Sequence, residues 1–375
     1  MKGDLHYSDF SVQNFKLFRE ISVKNLGQIN LIVGDNNVGK TSLLEALLVE
    51  ESSNPTVLLK RLHKTLCFRN IHIHVRREPA GEGKYSWLVP STSYLDFLLH
   101  DTTAPLKINA TSAAKNRKEI SLTTTTLAKL AADPKTVGLT RQFQGFAPDT
   151  VIVKYMCMAN RGVLTGSNMP LFADDLTVLH NYQIPFIPAS SMYDPTALMS
   201  GYQSALAGSR TIRQQFIHNL KSILPGVQEV LPRKIHEAEH LAVVLEGSDD
   251  SYPLAQFGDG TVKCARIFMD IARYQNGRLM IDEIDTGIHH TRLDNFWKVI
   301  VQAAFDNEVQ LFAVTHNAEC LKSLKRVFEN GELKSRQNEV RCIALTHLAD
   351  QKTVKAYTYP WEEFQAAIDQ DNELR

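Results

Sequence analysis

The sequence predicts an α/β fold: a mixed sheet built around a phosphate-binding loop, with an α+β lobe inserted between two halves. Three observations predict it. An apolar run, Ile29 to Val33, enters a glycine-bounded stretch, Gly34 to Thr41, that fits G-x-x-x-x-G-K-[ST]. A segment with apolar Leu43, Leu44, Leu47 and Leu48 leaves that stretch like one face of a helix. Far downstream, LMIDE at 279–283 is an apolar strand that ends in two acids.

The chemistry of a bound triphosphate explains the first stretch. Glycines let backbone N–H groups close around phosphate oxygens, and the N-terminus of the following helix adds a favourable dipole. Gly34, Asn36, Asn37, Gly39, Lys40, Thr41 and Ser42 are the candidate ATP-binding residues. Lys40 is placed to reach the outer phosphates, and Thr41 to hold Mg²⁺.

Composition narrows the class. The chain has 375 residues, 43% of them hydrophobic, enough for one large domain or two. Lys+Arg and Asp+Glu both number 41, so no global basic field advertises nucleic acid, although a local patch is compatible with that balance. Five scattered cysteines without zinc-finger spacing fit a reduced, cytoplasmic protein. No apolar run approaches membrane-spanning length.

Taken in order, residues 8–33 read as three strands, and the helix after the loop runs to about Glu50. Ile71, Ile73 and Val75 alternate with His72 and His74, a strand pattern whose histidines read as solvated. Residues 84–89 and 118–122 look extended, and the TTTT stretch at 123–126 punctuates the region. Lys115, Arg117 and Lys118 form a small basic cluster on a loop. Val151 to Cys157 reads as a buried strand, and Pro185 and Pro188 bound a short one. Residues 204–224 have helical spacing, and VQEVLP with HLAVVLEG reads as a hairpin, with Gly247 to Asp250 as the turn.

The second half of the site follows. Asp282 is placed near Mg²⁺, and Glu283 is placed to orient the attacking water. FGDG, Phe257 to Gly260, opens a helix with apolar Val262, Ala265, Phe268, Met269 and Ala272. VQLFAVTHN is an apolar strand ending at His316, a position suited to a γ-phosphate or to holding the water-activating Glu283. Beyond it come a helix, a strand pair and a short helix with Trp361 and Phe364.

The series GDNNVGKT, FGDG, LMIDEIDTGIHH and VTHN resembles the ATP-binding-cassette-class ATPases. Within that class it is similar to the RecF/SMC-like and overcoming-lysogenization-defect (OLD) group, over about residues 8–50 and 240–325. The resemblance implies an ABC-type P-loop NTPase head in which residues 1–50 and 241–375 are the two halves, and residues 51–240 an inserted regulatory or partner-binding lobe. It implies ATP and Mg²⁺ as cofactors. Asp282 matches the Walker B aspartate, Glu283 the catalytic glutamate and His316 the switch histidine. Gly258, Asp259, Gly260 and Asp285 match positions that face a partner head's ATP, which implies a homodimer or higher oligomer with sandwiched nucleotide.

The match has departures. The usual Leu-Ser-Gly-Gly is Phe257-Gly258-Asp259-Gly260 here, without the serine hydroxyl and with an added carboxylate. Gln142, Gln144 and Gln183 compete for the Q-loop role, and Lys16 reads equally as a nucleotide contact or a surface lysine. No acidic cluster of Toprim kind follows His316, so a stand-alone head is expected. Short relatives of this shape imply a slow ATPase regulating a separately encoded, nuclease-like effector in anti-phage defence. A RecF-like DNA-binding repair ATPase and an ATP-dependent scaffold with little turnover are the rival readings.

Overall fold

Two six-stranded sheets face each other across one buried helix. The computed structural model describes residues 6–50, 57–58, 60–62, 65, 76–79, 85–88, 98–101, 103–134, 136–144, 148, 150–160, 162–170, 184–189, 195–235, 238–350 and 352–370. The chain opens with β1 (Tyr7–Phe15), β2 (Phe18–Val23) and β3 (Ile29–Gly34), the three expected strands, and then α1 (Lys40–Glu50). A small hairpin, β4 (Arg76–Pro79) and β5 (Tyr85–Leu88), precedes β6 (Leu106–Ser112), β7 (Arg117–Thr126) and α2 (Leu127–Ala132). Next come β8 (Val151–Ala159), β9 (Gly162–Pro170), β10 (Phe186–Ile187), α3 (Pro195–Gly201) and α4 (Arg210–Lys221). A three-stranded sheet follows, β11 (Val227–Ile235), β12 (Ala238–Leu245) and β13 (Ser251–Pro253). The last part is α5 (Asp259–Arg273), β14 (Arg278–Ile281), α6 (Leu293–Asp306), β15 (Gln310–Val314), α7 (Ala318–Glu329), β16 (Val340–His347), β17 (Val354–Tyr359) and α8 (Trp361–Asp369).

The sheet that carries the phosphate loop has the order β10-β14-β15-β3-β16-β17. It is mixed: β10, β14, β15, β3 and β16 pair in parallel and β17 adds antiparallel to β16. Its centre, β3, is buried on both faces and apolar apart from Asn30, because both faces are covered, as parallel strands require. Leu31 and Val33 belong to the core shared with α5, α6 and α7, whereas Ile32 belongs to the core shared with α1. The second sheet, β2-β1-β6-β7-β8-β9, is antiparallel throughout. Thus β6 to β9, from the segment expected as an insert, extend a sheet begun by β1 and β2, and β10 joins the phosphate-loop sheet.

Several expectations are corrected. The segment 40–50 was expected to bury one face, but it is buried all round from Ser42 to Val49 because α1 lies between the two sheets. Its leucines each contribute about 1.5–3 kcal/mol by leaving water. The threonines at 123–126 do not interrupt a strand; they complete β7, where their β-branched carbons suit the pleat, paired opposite 151–154. Lys115 occupies the β6–β7 turn, while Arg117 and Lys118 open β7. The 204–224 helix is broken. A π-helical turn at Tyr202–Leu206 ends before Ser209, whose hydroxyl accepts the Ile212 N–H at 3.3 Å and starts α4 afresh. The Gly247–Asp250 turn joins β12 to β13, not the two long strands. His72 and His74 lie outside the described residues.

Among the described residues, Cys157, Cys264, Cys320 and Cys342 are free and buried. No described helix is long and apolar enough to cross a membrane.

Candidate nucleotide site

The loop from Gly34 to Gly39 leaves the carboxyl end of β3 and enters α1, the edge where open parallel sheets bind ligands. Its path needs glycine at two points. Gly34 has φ +136°, and a Cβ there would sit 2.3 Å from the Leu345 carbonyl oxygen. Gly39 has φ +98°, and a Cβ would meet the Phe18 ring at 2.7 Å. Asn37 also takes a positive φ, 64°, which asparagine tolerates better than most residues. Asn36 and Asn37 are exposed, while Ser42 is buried in α1.

Lys40 folds back over this loop. Its Nζ donates to the carbonyl oxygens of Gly34 at 2.6 Å and Asp35 at 2.5 Å. Burial pulls the ammonium below the usual lysine range, and the carboxylates of Asp35 and Asp282 oppose that pull. A cation held against carbonyl groups of a glycine-bounded loop that opens a helix is a ready partner for phosphate oxygens.

The two distant motifs meet at Thr41. Its hydroxyl donates to Asp282 Oδ2 at 2.9 Å. Asp282 follows β14 directly, and its backbone N–H donates to the Ile187 carbonyl at 2.8 Å. Burial raises the Asp282 carboxyl above the usual range, the Thr41 bond lowers it, and nearby Glu283 and Glu45 raise it further. A hydroxyl and a carboxylate at hydrogen-bond distance form a hard-oxygen pair of the kind that suits Mg²⁺.

Glu283 is the next residue, half-buried, with a left-handed φ of 45°. Its Oε2 accepts the Thr286 hydroxyl at 3.1 Å. Its backbone oxygen accepts the Thr286 N–H at 3.0 Å and the Nζ of buried Lys263 on α5. Asp285, expected to face a partner head, accepts the Thr315 hydroxyl at 2.6 Å from its own chain. His316 follows Thr315 past the end of β15 and is exposed. Asn317 then caps α7, its Oδ1 accepting the Glu319 N–H at 2.9 Å.

Gly258, Asp259 and Gly260 lie apart from the phosphate loop. They line a cavity of about 340 Å³ with Gly287, Ile288, His289, Thr291 and Arg292, and no phosphate-loop residue lines it. Lys16 is not a surface lysine: it forms an ion pair with Glu45, buried in the middle of α1. Gln144 is exposed, and Gln183 lies outside the described residues. The sequence reading passed over Glu45, Lys263 and Thr315. For the first two a signal existed, a charge inside an otherwise apolar helical stripe.

Two family models match the stretches that carry the two halves of the site. Residues 8–127 match a model described as "AAA ATPase domain", and residues 176–321 match one described as "AAA domain, putative AbiEii toxin, Type IV TA system". A protein of Helicobacter pylori named "ATP/GTP phosphatase" is 21% identical over 97% of this chain and 98% of its own length. An uncharacterized protein of Methanocaldococcus jannaschii is 42% identical over 60 residues, covering 16% of this chain and 27% of that protein. Among solved structures, the SMC head domain from Thermotoga maritima is similar at 10% identity and a TM-score of 0.44, covering 95% of this chain and 99% of that one. The chain has a mixed α/β fold around a phosphate loop, and the two stretches that carry the halves of its site, residues 8–127 and 176–321, each resemble an AAA ATPase domain.

Proposed function

We propose that the chain binds Mg–ATP between the 34–41 loop and Asp282 and hydrolyses it slowly as a conformational switch. The observation that carries this reading is the Thr41–Asp282 hydrogen bond, which joins a phosphate loop to a buried acidic strand end. Thr41 and Asp282 hold the Mg²⁺, which when bound neutralises charge on the outer phosphates. Backbone N–H groups of the loop and Lys40 hold the phosphate oxygens. Glu283 orients the water, and His316, exposed just past the end of β15, acts as the γ-phosphate sensor. Catalysis of this kind is positioning and charge stabilisation. The name of the Helicobacter pylori relative, "ATP/GTP phosphatase", supports hydrolysis as the activity.

In this proposal two heads pair. Gly258, Asp259, Gly260 and the Asp285 turn meet the partner's nucleotide; the cavity that Gly258, Asp259 and Gly260 line is a support for this reading. The chain then regulates a separately encoded effector, nuclease-like in class, within a defence system. The second matched model's description, which names a putative AbiEii toxin of a type IV toxin–antitoxin system, is the support for that role. The test is ATP turnover per molecule against protein concentration, followed by co-purification with the untagged product of a neighbouring gene. Specific activity that rises with concentration supports paired heads. Constant activity down to a monomer verified by light scattering contradicts pairing.

A further inference from the structure

Lys263 is the residue on α5 whose burial demands a reason. It is 2% exposed and ranks among the largest fully buried side chains, and the other buried residues of its helix are apolar apart from Thr261 and Asp270. An ammonium taken from water is costly unless paired, and an apolar residue would fill the space without that cost. Its Nζ donates to the backbone oxygen of Glu283 and faces the carboxylates of Asp285, Glu283 and Asp282.

The turn it touches is strained. Glu283 holds φ 45°, a region that residues with a Cβ adopt reluctantly and keep only when their surroundings hold them there. Three tethers hold this turn. Lys263 grips the Glu283 carbonyl, the Ile284 N–H donates to the Val314 carbonyl at 2.9 Å, and Thr315 donates to Asp285 at 2.6 Å. At the start of the same helix, Gly260 is packed so tightly on the turn that a Cβ would stand 2.4 Å from the Gly287 carbonyl oxygen. Helix α5 therefore touches the turn at both ends, through Gly260 at Gly287 and through Lys263 at Glu283.

We infer that Lys263 is a positioning residue for ATP hydrolysis: it holds the Glu283 backbone in the left-handed turn that aims the carboxylate, and ties that turn to the helix opening at Gly258–Gly260. The inference rests on Glu283 orienting the water. A merely structural lysine would alter folding or nucleotide affinity. A positioning lysine alters kcat while leaving nucleotide affinity in place, because the phosphate loop lies on another helix.

The test compares wild type, Lys263→Met and Glu283→Gln by steady-state ATP hydrolysis, with the affinity for a fluorescent ATP analogue measured in parallel. Lys263→Met is expected to lower kcat about 10- to 100-fold, as misplacement of a catalytic group does, with analogue affinity within about twofold of wild type. A thermal melt verifies the fold, and if Lys263→Met does not melt cooperatively, Lys263→Gln replaces it under the same criteria. Wild-type kcat in the folded variant overturns the inference, as does an affinity loss as large as the kcat loss. Wild-type turnover no higher than that of Glu283→Gln instead overturns the reading of Glu283, and the inference with it.

Discussion

The Thr41 hydroxyl donates to Asp282 Oδ2 at 2.9 Å, across 241 residues of chain. The bond is made because β3 and β14 lie one strand apart in the parallel part of the sheet, with β15 between them. Their carboxyl ends therefore open on the same edge. A small polar contact at that edge joins the two halves of the site.

Thr41→Ala removes the donor and one hard-oxygen group while leaving the phosphate loop glycines and Lys40 intact. The Mg²⁺ concentration giving half-maximal turnover is expected to rise about tenfold, with a smaller change in metal-free nucleotide affinity. A magnesium titration of turnover checks it; an unchanged midpoint contradicts the assignment of Thr41 as a ligand.

Lys40→Met keeps most of the length of the side chain and removes its charge and its donors to Gly34 and Asp35. Loss of one charge-assisted phosphate contact is worth about 1.5–3 kcal/mol, so ATP affinity should fall about 10- to 150-fold. Isothermal titration with a non-hydrolysable analogue reads this directly.

Gly34→Ala tests the loop path itself. The new Cβ would lie 2.3 Å from the Leu345 oxygen, at a φ of 136° that side chains avoid. The expected outcome is destabilisation of at least about 1–3 kcal/mol together with loss of nucleotide binding. Chemical denaturation and nucleotide titration measure the two effects separately. Melting and binding like wild type would show that this strand end moves freely.

Arg266→Met tests a buried charge away from the nucleotide. Asp270 is buried on α5 and accepts Arg266 Nε at 2.7 Å. Burial raises its carboxyl above the ordinary value of 3.8, and Arg266 counters that rise. A raised acid contributes its stability at low pH and loses it as pH rises through the folded pKa. Without Arg266 the rise grows, so the variant should lose about 3 kcal/mol at neutral pH, and the deficit should shrink on acidification toward that raised pKa. Denaturant melts at several pH values check the sign. A deficit that grows on acidification contradicts it.

The sequence made the site legible where its motifs are local. Gly34 to Thr41 and LMIDE read directly, because strand, glycine and acid lie side by side in the chain. The helix at 204–224 misread because its apolar spacing continues across Gly208 and Ser209, where the backbone restarts. The threonines at 123–126 misread because β-branched residues serve loops and strands alike, and only the partner strand decides. Thr315 was silent for a different reason. Its role depends on packing against the Glu283–Asp285 turn, and no periodicity records a contact made only in three dimensions.

The most direct measurement is phosphate release from ATP by wild type and by Glu283→Gln, with nucleotide affinity measured on the same samples. A site formed by the 34–41 loop, Asp282 and Glu283 predicts that the variant binds ATP like wild type and turns it over at least about 100-fold more slowly. Equal turnover by the two proteins would contradict the account, because the water would then be activated by some other group.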